Sequence, residues 1–374
     1  MIKIDRRLIR NFDWITLSLV ILLSVTGIMT IYSATRSPLP DGDMPSYYIR
    51  QVYWLLVSII ALIGVVSFDY IWLKRFSYLF YGAGIVLLLL VLFMGKTGMG
   101  AQRWLNLGIF SFQPSEVFRL FFVITLSRYL SDMQGRVGLV SLLKVFFLLA
   151  FVPAAMVMKQ PDLGTAVILL MVFFSIISTK GFQKKVIALI LLIGLVSIPF
   201  LGNIVWEGLK DYQKNRLVAF LEPDIDPAGI GYHINQSKVA IGSGQVVGKG
   251  YLKGTQGPFR FLPEKHTDFI FAVFAEEWGF MGSVVLLFLY LALIFRGLDT
   301  ARKAKDEFGS ILATGISFMF TIYFFINVGM TLGIMPVVGV PLPFMSYGGT
   351  SLLANFIAAG ILINIRTRRF ELFY

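Results

Sequence analysis

Long apolar stretches separated by short polar connections run along the whole chain, and this pattern predicts an all-α membrane protein. A helix that crosses a bilayer core of about 30 Å needs roughly 20 predominantly apolar residues. Ten stretches reach or approach that length. They cover residues 14–32, 52–67, 76–93, 114–130, 139–158, 163–178, 186–201, 269–295, 311–334 and 351–365. We therefore expect one membrane domain over residues 1–374, a polytopic bundle of ten transmembrane helices.

Lysine and arginine are distributed unequally between the two sides of this predicted bundle. The two chain ends and the connections on their side carry 18 of these residues, and the short connections on the opposite side carry 5. Because cytoplasmic loops carry the excess of Lys and Arg, we expect both termini in the cytoplasm, which requires an even number of spans. The first stretch exceeds the apolar region of a signal peptide and has no small-residue cleavage site after it, so we expect a retained anchor.

Composition supports a membrane protein and excludes several other classes. Of 374 residues, 57% are hydrophobic and 14% are charged, whereas soluble domains have about 25% charged residues. The net charge of +12 does not come with basic and aromatic residues in alternation, so no nucleic acid is expected as a partner. The absence of cysteine excludes disulfides and thiolate metal sites, and the sequence has no Walker motif for ATP.

Two segments on the outer side interrupt the apolar pattern. We expect residues 202–267 to form one large extracytoplasmic loop before helix 8, and apolar residues within it favour a partly helical cap over a disordered linker. Residues 335–349 (MPVVGVPLPFMSYGG) combine prolines and paired glycines where a helix would otherwise continue. Irregular backbone at membrane depth occurs only where protein or a water-filled cavity covers it. We therefore expect a cavity near the outer ends of the last two spans.

Asp268 lies where the large loop enters the eighth span, which makes it the first candidate for chemistry. A carboxylate at a helix N-terminus can simply be favoured by the helix dipole. Partial desolvation at the membrane boundary can instead raise its pKa and make it a general base. Position alone leaves both interpretations open. Glu276 and Glu277 follow on other faces of the same helix, so we expect them to pair with basic residues instead of forming a dyad with Asp268.

Other ionisable residues on the outer side are candidates for binding. Glu116 and Arg119 share one face of the fourth span, and an arginine inside the membrane needs a partner. Asp162 opens the sixth span as a helix cap or as an acid of the cavity. The outer basic residues could neutralise a diphosphate or be a solvated surface, and these are Arg103, Lys159, Lys238, Lys249, Lys253, Arg260 and Lys265. The acids suit a divalent cation such as Mg²⁺ or Mn²⁺, without a spacing that specifies a site, and these are Asp162, Asp224, Asp226, Glu264 and Asp268.

Seven sequence blocks stand in order along nearly the whole chain. They are GAQRWLNLG at 100–108, FQPSE at 112–116, KQPDLGTA at 159–166, DYQKNRLVAFLEPDIDP at 211–227, AIGSGQVVGKG at 240–250, LPEKHTDFIFAVFAEEWG at 262–279 and PVVGVPLPFMSYGGTS at 336–351. Together they resemble the SEDS family (shape, elongation, division, sporulation) of polytopic peptidoglycan glycosyltransferases. The last block is more similar to the RodA branch than to the FtsW branch. The resemblance also implies ten helices.

The resemblance implies a polymerase of lipid II at the outer face of the bacterial inner membrane. In that reaction the 4-hydroxyl of an acceptor GlcNAc attacks C1 of the lipid-linked MurNAc with inversion, and undecaprenyl diphosphate leaves. Asp268 matches the family's essential aspartate and is the expected general base, with Glu116 as a second catalytic residue. The expected substrate-binding residues are Arg103, Arg119, Lys159, Asp162, Gln213, Arg216, Lys249, His266 and Ser346. The family usually has lysine where this chain has Arg119, and the two cations are not equivalent.

The resemblance also implies partners. Besides lipid II, the nascent glycan chain and membrane lipids, these include a class B penicillin-binding protein that crosslinks the peptides. Three alternatives stay open: a lipid II flippase, the FtsW-type division polymerase, and a scaffold for cell-wall synthases. The blocks converge on the outer face, whereas a flippase should carry polar groups through the whole membrane depth, which favours the enzyme.

Overall fold

The computed structural model describes residues 11–36, 47–98, 101–106, 108, 111–183, 185–187, 207, 211–222, 229–259 and 261–370. This part of the chain is mainly helical, with three short strands between the third and fourth helices. The helices are α1 (Trp14–Thr35), α2 (Tyr47–Ser67), α3 (Ile71–Met94), α4 (Pro114–Asp132), α5 (Leu139–Lys159), α6 (Leu163–Thr179), α7 (Asp211–Leu221), α8 (Ile230–Ser243), α9 (Ile270–Arg302), α10 (Glu307–Thr331) and α11 (Gly349–Thr367). The strands are β1 (Lys96–Gly98), β2 (Ala101–Asn106) and β3 (Ser111–Phe112).

Seven of these helices are long and apolar enough to cross a membrane, and they are α1, α2, α3, α5, α9, α10 and α11. Helix α6 is apolar but shorter, and α4 coincides with the fourth predicted span. Of the seventh predicted span, 186–201, all but the first two residues lie outside the described residues. The helical, multi-span prediction is therefore confirmed, and the count of ten stays a prediction.

The packed centre of the bundle lies around α10 and α11. Their most apolar windows are 72% and 78% buried, whereas those of α2 and α3 are 17% and 22% buried. Small residues allow close approach between helices in a membrane. A Cβ on Gly360 of α11 would lie 3.3 Å from the carbonyl oxygen of Leu62 in α2. Helices α2 and α3 consequently present most of their apolar surface outward.

The end of the bundle that carries the start of α9 contains two features that the apolar pattern does not show. Strands β1, β2 and β3 pair antiparallel in one small sheet between α3 and α4. Helix α9 is interrupted at Gly279, where φ is +65° and ψ is −164°. The segment after α8 fills this interruption, since Gly250 N donates to Glu277 O at 2.9 Å and Phe280 N donates to Gln245 O at 2.9 Å. The backbone groups freed by the break thus regain partners, as a membrane helix requires.

Candidate functional site

Asp268 lies in the turn that precedes α9, and the residue is partly exposed. The turn begins at Glu264, which has a φ of +48°. Phe269 N donates to Glu264 O at 3.2 Å, and Thr267 Oγ1 donates to Glu264 Oε2 at 3.0 Å. The turn therefore places two carboxylates, those of Glu264 and Asp268, close to one another outside the membrane-spanning helix.

Burial raises the pKa of Asp268 to about 6. The neighbouring charge of Glu264 raises it further, whereas Arg216, Arg103 and a hydrogen bond from Thr267 lower it. A carboxyl group with such a pKa is mostly ionised at neutral pH and is still basic enough to accept a proton, which is the balance that a general base needs.

Gly339, in the irregular segment 335–349, lies beside the carboxylate of Asp268. Its φ is +73°, and a Cβ placed on it would lie 3.3 Å from Asp268 Oδ2 and 3.9 Å from Arg216 Nη1. Because an L side chain rarely adopts this conformation and the space is already tight, glycine is strongly favoured here. The segment predicted to border a cavity thus lies against Asp268, and Arg216 of α7 reaches the same place.

Arg103 and Asp162 form an ion pair that belongs to the same region. Arg103 Nε lies 3.3 Å from Asp162 Oδ2, and Arg103 Nη2 donates to Pro161 O at 3.0 Å. Asp162 is buried and also caps α6, since Thr165 N donates to its Oδ1 at 3.1 Å. The helix-cap interpretation of Asp162 is therefore confirmed, and its role as an acid of the cavity stays a prediction.

The predicted pair of Glu116 and Arg119 is confirmed. The two side chains are buried, and Arg119 Nη1 lies 3.0 Å from Glu116 Oε2. Arg119 Nη2 also donates to Asn355 Oδ1 at 2.6 Å, and the guanidinium lies 4.4 Å from the ring centroid of Tyr323. This network joins α4, α10 and α11 inside the bundle, where an unpaired arginine would be costly.

His266 belongs to the turn that carries Asp268, and Ser346 contacts that turn. His266 stacks on Tyr47 with ring centroids 4.5 Å apart, and burial together with the charge of Lys265 lowers its pKa to about 4. It is therefore neutral at neutral pH and suits hydrogen bonding better than pairing with a phosphate. Ser346 is buried, and its Oγ donates to Thr267 O at 2.6 Å.

Three other predicted binding residues lie in different surroundings. Lys249 pairs with the fully buried Glu276 at 2.6 Å and with Thr255 at 3.1 Å, so it stabilises the interrupted part of α9. Lys159 is exposed at the end of α5 and forms no ion pair with the described residues. The side chain of Gln213 lies outside the described part of the chain. The binding roles predicted for all three stay predictions.

The described residues contain no group of three His, Cys, Asp or Glu side chains that could hold a metal ion. Of the acids considered for a cation, Glu264 lies next to Asp268, whereas Asp162 is held by Arg103. Asp224 and Asp226 lie outside the described residues.

Two residues beside Asp268 were not singled out from the sequence. Gly339 was only one glycine of an irregular segment. Asn327 is a fully buried residue of α10, and its Nδ2 donates to Asp268 O at 2.9 Å. Since Asn side chains in apolar spans commonly bond across helices, a single Asn within the ninth predicted span was the available signal.

Known proteins resemble this chain over nearly its full length. The family model described as cell cycle protein, which covers FtsW, RodA and SpoVE, matches residues 12–371. The peptidoglycan glycosyltransferase MrdB of Escherichia coli K12 is 38% identical over 359 residues, which cover 96% of this chain and 94% of MrdB.

Two solved structures share the fold. A chain from work on the structural coordination of polymerization and crosslinking by a peptidoglycan synthase complex aligns with a TM-score of 0.80 and 30% identity, covering 96% of this chain and 99% of that chain. The crystal structure of the rod shape determining protein RodA of Thermus thermophilus aligns with a TM-score of 0.70 and 27% identity, covering 96% and 98% respectively.

Proposed function

The chain belongs to the cell cycle protein family of FtsW, RodA and SpoVE, and we propose that it is a peptidoglycan glycosyltransferase that polymerises lipid II. The names of its relatives MrdB and RodA support the elongation and cell-shape branch of the family. The observation that carries the chemical part of the proposal is Asp268, a carboxyl group with a pKa of about 6 in a turn at the end of a membrane helix.

In the proposed reaction Asp268 accepts the proton of the acceptor's 4-hydroxyl while that oxygen attacks C1 of the lipid-linked sugar. The bond from C1 to the diphosphate oxygen breaks, and undecaprenyl diphosphate leaves with the electron pair. Attack opposite the leaving group inverts C1. The proton passes from Asp268 to solvent, which restores the base. Since a diphosphate is a good leaving group, no general acid is needed, and nearby positive charge stabilises the oxygens that gain charge.

Arg216 and Arg103 are the proposed sources of that positive charge. Both act electrostatically on Asp268, and Asp162 fixes the orientation of Arg103 through the pair at 3.3 Å. Lys159 and Gln213 are proposed as further substrate contacts. Glu116, the second proposed catalytic residue, is paired with Arg119 at 3.0 Å, and we assign it the role of orienting charge around the site.

A divalent cation, Mg²⁺ or Mn²⁺, is a further proposal. Mg²⁺ is commonly bound by one or two carboxylates together with substrate phosphates, and Glu264 beside Asp268 could supply such an oxygen ligand. The test is polymerisation in EDTA and in added Mg²⁺ or Mn²⁺. Activity that is lost in EDTA and restored by the cation supports the proposal, and equal activity in EDTA contradicts it.

We also propose the location and the partner. The bundle lies in the bacterial inner membrane with both termini in the cytoplasm, as the distribution of Lys and Arg favours. The partner is a class B penicillin-binding protein, since a similar chain occurs in a peptidoglycan synthase complex for polymerization and crosslinking. Accessibility of single cysteines placed at residue 2 and in the 202–267 loop tests the orientation, because the chain has no native cysteine.

The activity is tested by mixing the purified protein and its transpeptidase partner with lipid II in detergent. The products are then separated on a gel. The parent is expected to make glycan polymer, and Asp268→Asn should reduce the rate by about 10²–10⁴-fold, the usual contribution of a general base. Asp132→Asn, which removes an exposed carboxylate paired with Lys74, is the matched control and should retain the rate. A parent that moves lipid II across liposomes without making polymer would instead identify a flippase.

A further inference from the structure

Three consecutive main-chain carbonyl groups around Asp268 are each held by a hydrogen bond. The bonds run from Tyr347 N to His266 O (2.8 Å), from Ser346 Oγ to Thr267 O (2.6 Å) and from Asn327 Nδ2 to Asp268 O (2.9 Å). All three donors lie in α10 or in the segment 335–349 that follows it. The backbone of the turn is therefore fixed from one side by a single region of the fold.

The side-chain amide of Asn327 donates two hydrogen bonds to main-chain carbonyl oxygens. It is fully buried, and its Nδ2 also donates to Val340 O at 2.7 Å. Its Oδ1 accepts no hydrogen bond from the described residues. Rotating the amide by 180° would set Oδ1 against two carbonyl oxygens, so the orientation is determined by the contacts. One side chain thus ties α10 to Asp268 and to the segment that carries Gly339.

Ser346 provides the second anchor, and its own position is fixed. Its Oγ accepts from Leu342 N at 2.8 Å while donating to Thr267 O. Gln51 of α2 donates to Ser346 O at 3.1 Å. These hydrogen bonds therefore fix the segment 335–349 in position against the turn that carries Asp268.

We propose that Asn327 is a positioning residue that aims the carboxylate of Asp268 at the acceptor hydroxyl, with Ser346 as its second anchor. The inference rests on the proposed function, in which Asp268 is the base. A base must lie within hydrogen-bond reach of the proton that it removes, and a displacement of about 1 Å can cost about 100-fold in rate. Asn327 reaches this reaction through the backbone of Asp268, without contacting substrate.

The test compares Asn327→Leu with Asn364→Leu. Asn364 is also a buried asparagine whose Nδ2 donates to two main-chain carbonyls, Val65 O at 2.7 Å and Phe68 O at 2.5 Å, but it lies near the opposite end of the bundle. Both changes keep the side-chain size and remove two donated hydrogen bonds, and Asn364→Leu also removes the bond that Asn364 Oδ1 accepts from Arg368 Nε at 2.8 Å, so it is the more severe change of the two. For lipid II polymerisation, Asn327→Leu should lower kcat by about 10- to 100-fold with KM within about 3-fold. Asn364→Leu should keep kcat within about 3-fold.

The pH dependence provides a readout that general destabilisation does not change. Once the backbone of Asp268 is no longer held, its carboxylate gains contact with water, which lowers its pKa. The acidic pH at which half of the activity is lost should therefore be lower in Asn327→Leu than in the parent. In Asn364→Leu this pH should equal that of the parent. If Asn327→Leu does not fold, Ser346→Ala decides, with an expected loss in kcat of about 10-fold at unchanged KM.

Equal kcat in Asn327→Leu and Asn364→Leu, or in Ser346→Ala and the parent, overturns the positioning role. Asp268→Asn, assayed alongside, separates this from a failure of the proposed function. If Asp268→Asn is inactive while Asn327→Leu keeps the parent's kcat, only the positioning role is wrong. If Asp268→Asn keeps the parent's rate, the base itself is wrongly assigned.

Discussion

Asp13 and Asp268 stand at opposite ends of the bundle, and each has two arginines nearby. Arg296 Nη2 lies 2.6 Å from Asp13 Oδ1, and Arg366 Nε lies 3.6 Å from Asp13 Oδ2. The charges of Arg216 and Arg103 lower the pKa of Asp268. Their pKa values nevertheless move in opposite directions. The number of nearby arginines therefore does not decide whether a carboxylate is a permanent anion or a base.

Direct hydrogen bonding accounts for the difference. Burial raises the pKa of Asp13, but hydrogen bonds from Arg296 and Thr16 and the charges of both arginines lower it below its usual value. At Asp268, burial and the charge of Glu264 outweigh the arginines and raise the pKa to about 6. The first arrangement holds α1, α9 and α11 together, and the second keeps a carboxylate available for protons.

Asp13→Ala should cause the largest loss of stability with little change in chemistry. It leaves Arg296 and Arg366 facing each other without their shared carboxylate, which costs about 3 kcal/mol, the lower end for a broken buried pair, because Arg366 keeps Asp299 at 2.8 Å. The thermal unfolding midpoint in detergent should fall clearly, while polymerisation per folded molecule should match the parent. An unchanged midpoint with lost turnover would reverse the roles assigned to the two aspartates.

Gly339→Ala should lose both stability and activity, whereas Gly181→Ala should lose stability alone. Both glycines have a φ of about +70°, so alanine costs about 1–2 kcal/mol at each. Only at Gly339 would the new methyl group lie near Asp268, at 3.3 Å from Oδ2, since a Cβ on Gly181 meets no atom within 4 Å. We expect kcat to fall by about 10-fold or more in Gly339→Ala. Similar kcat values in the two variants would show that the segment does not border the reacting groups.

Lys74→Ala should have the smallest effect, and it measures how much an exposed ion pair contributes to stability. Lys74 lies 2.7 Å from Asp132, but the two side chains are 35% and 49% exposed. Such pairs contribute about 0.5 kcal/mol or less. The unfolding midpoint and the rate should both stay close to those of the parent, and a loss as large as that of Asp13→Ala would contradict the distinction between buried and exposed pairs.

The apolar pattern was sufficient to locate most of the described helices. It placed the ninth span at 311–334, where α10 is Glu307–Thr331, and the eighth at 269–295, where α9 extends to Arg302. The extra turns of α9 carry Arg296 and Asp299, because ion pairs at this end of the bundle let a charged segment continue as helix. The sheet of β1, β2 and β3 was not predicted, since its strands are too short and polar to produce an apolar signal.

Candidate site residues could be predicted where the signal lies within one continuous segment of the sequence. Asp268 stood out by its position at a helix entrance, and Glu116 and Arg119 by their spacing along one helix face. Pairs between distant segments, such as Arg103 with Asp162 or Lys249 with Glu276, depend on tertiary packing that no local pattern contains. The same applies to Asn327, whose role appears only when α10 is placed against the turn.

The role of Asp268 as the general base is tested most directly by the pH dependence of polymerisation at low lipid II concentration, where the rate reports kcat/KM of the free enzyme. Asp268 must be ionised to accept a proton, so activity should be full near neutral pH and fall about tenfold per pH unit below a midpoint near 6. His266, with its pKa of about 4, titrates well below that midpoint. A rate that stays constant from about pH 7 down to about pH 5 would contradict the assignment of Asp268 as the general base.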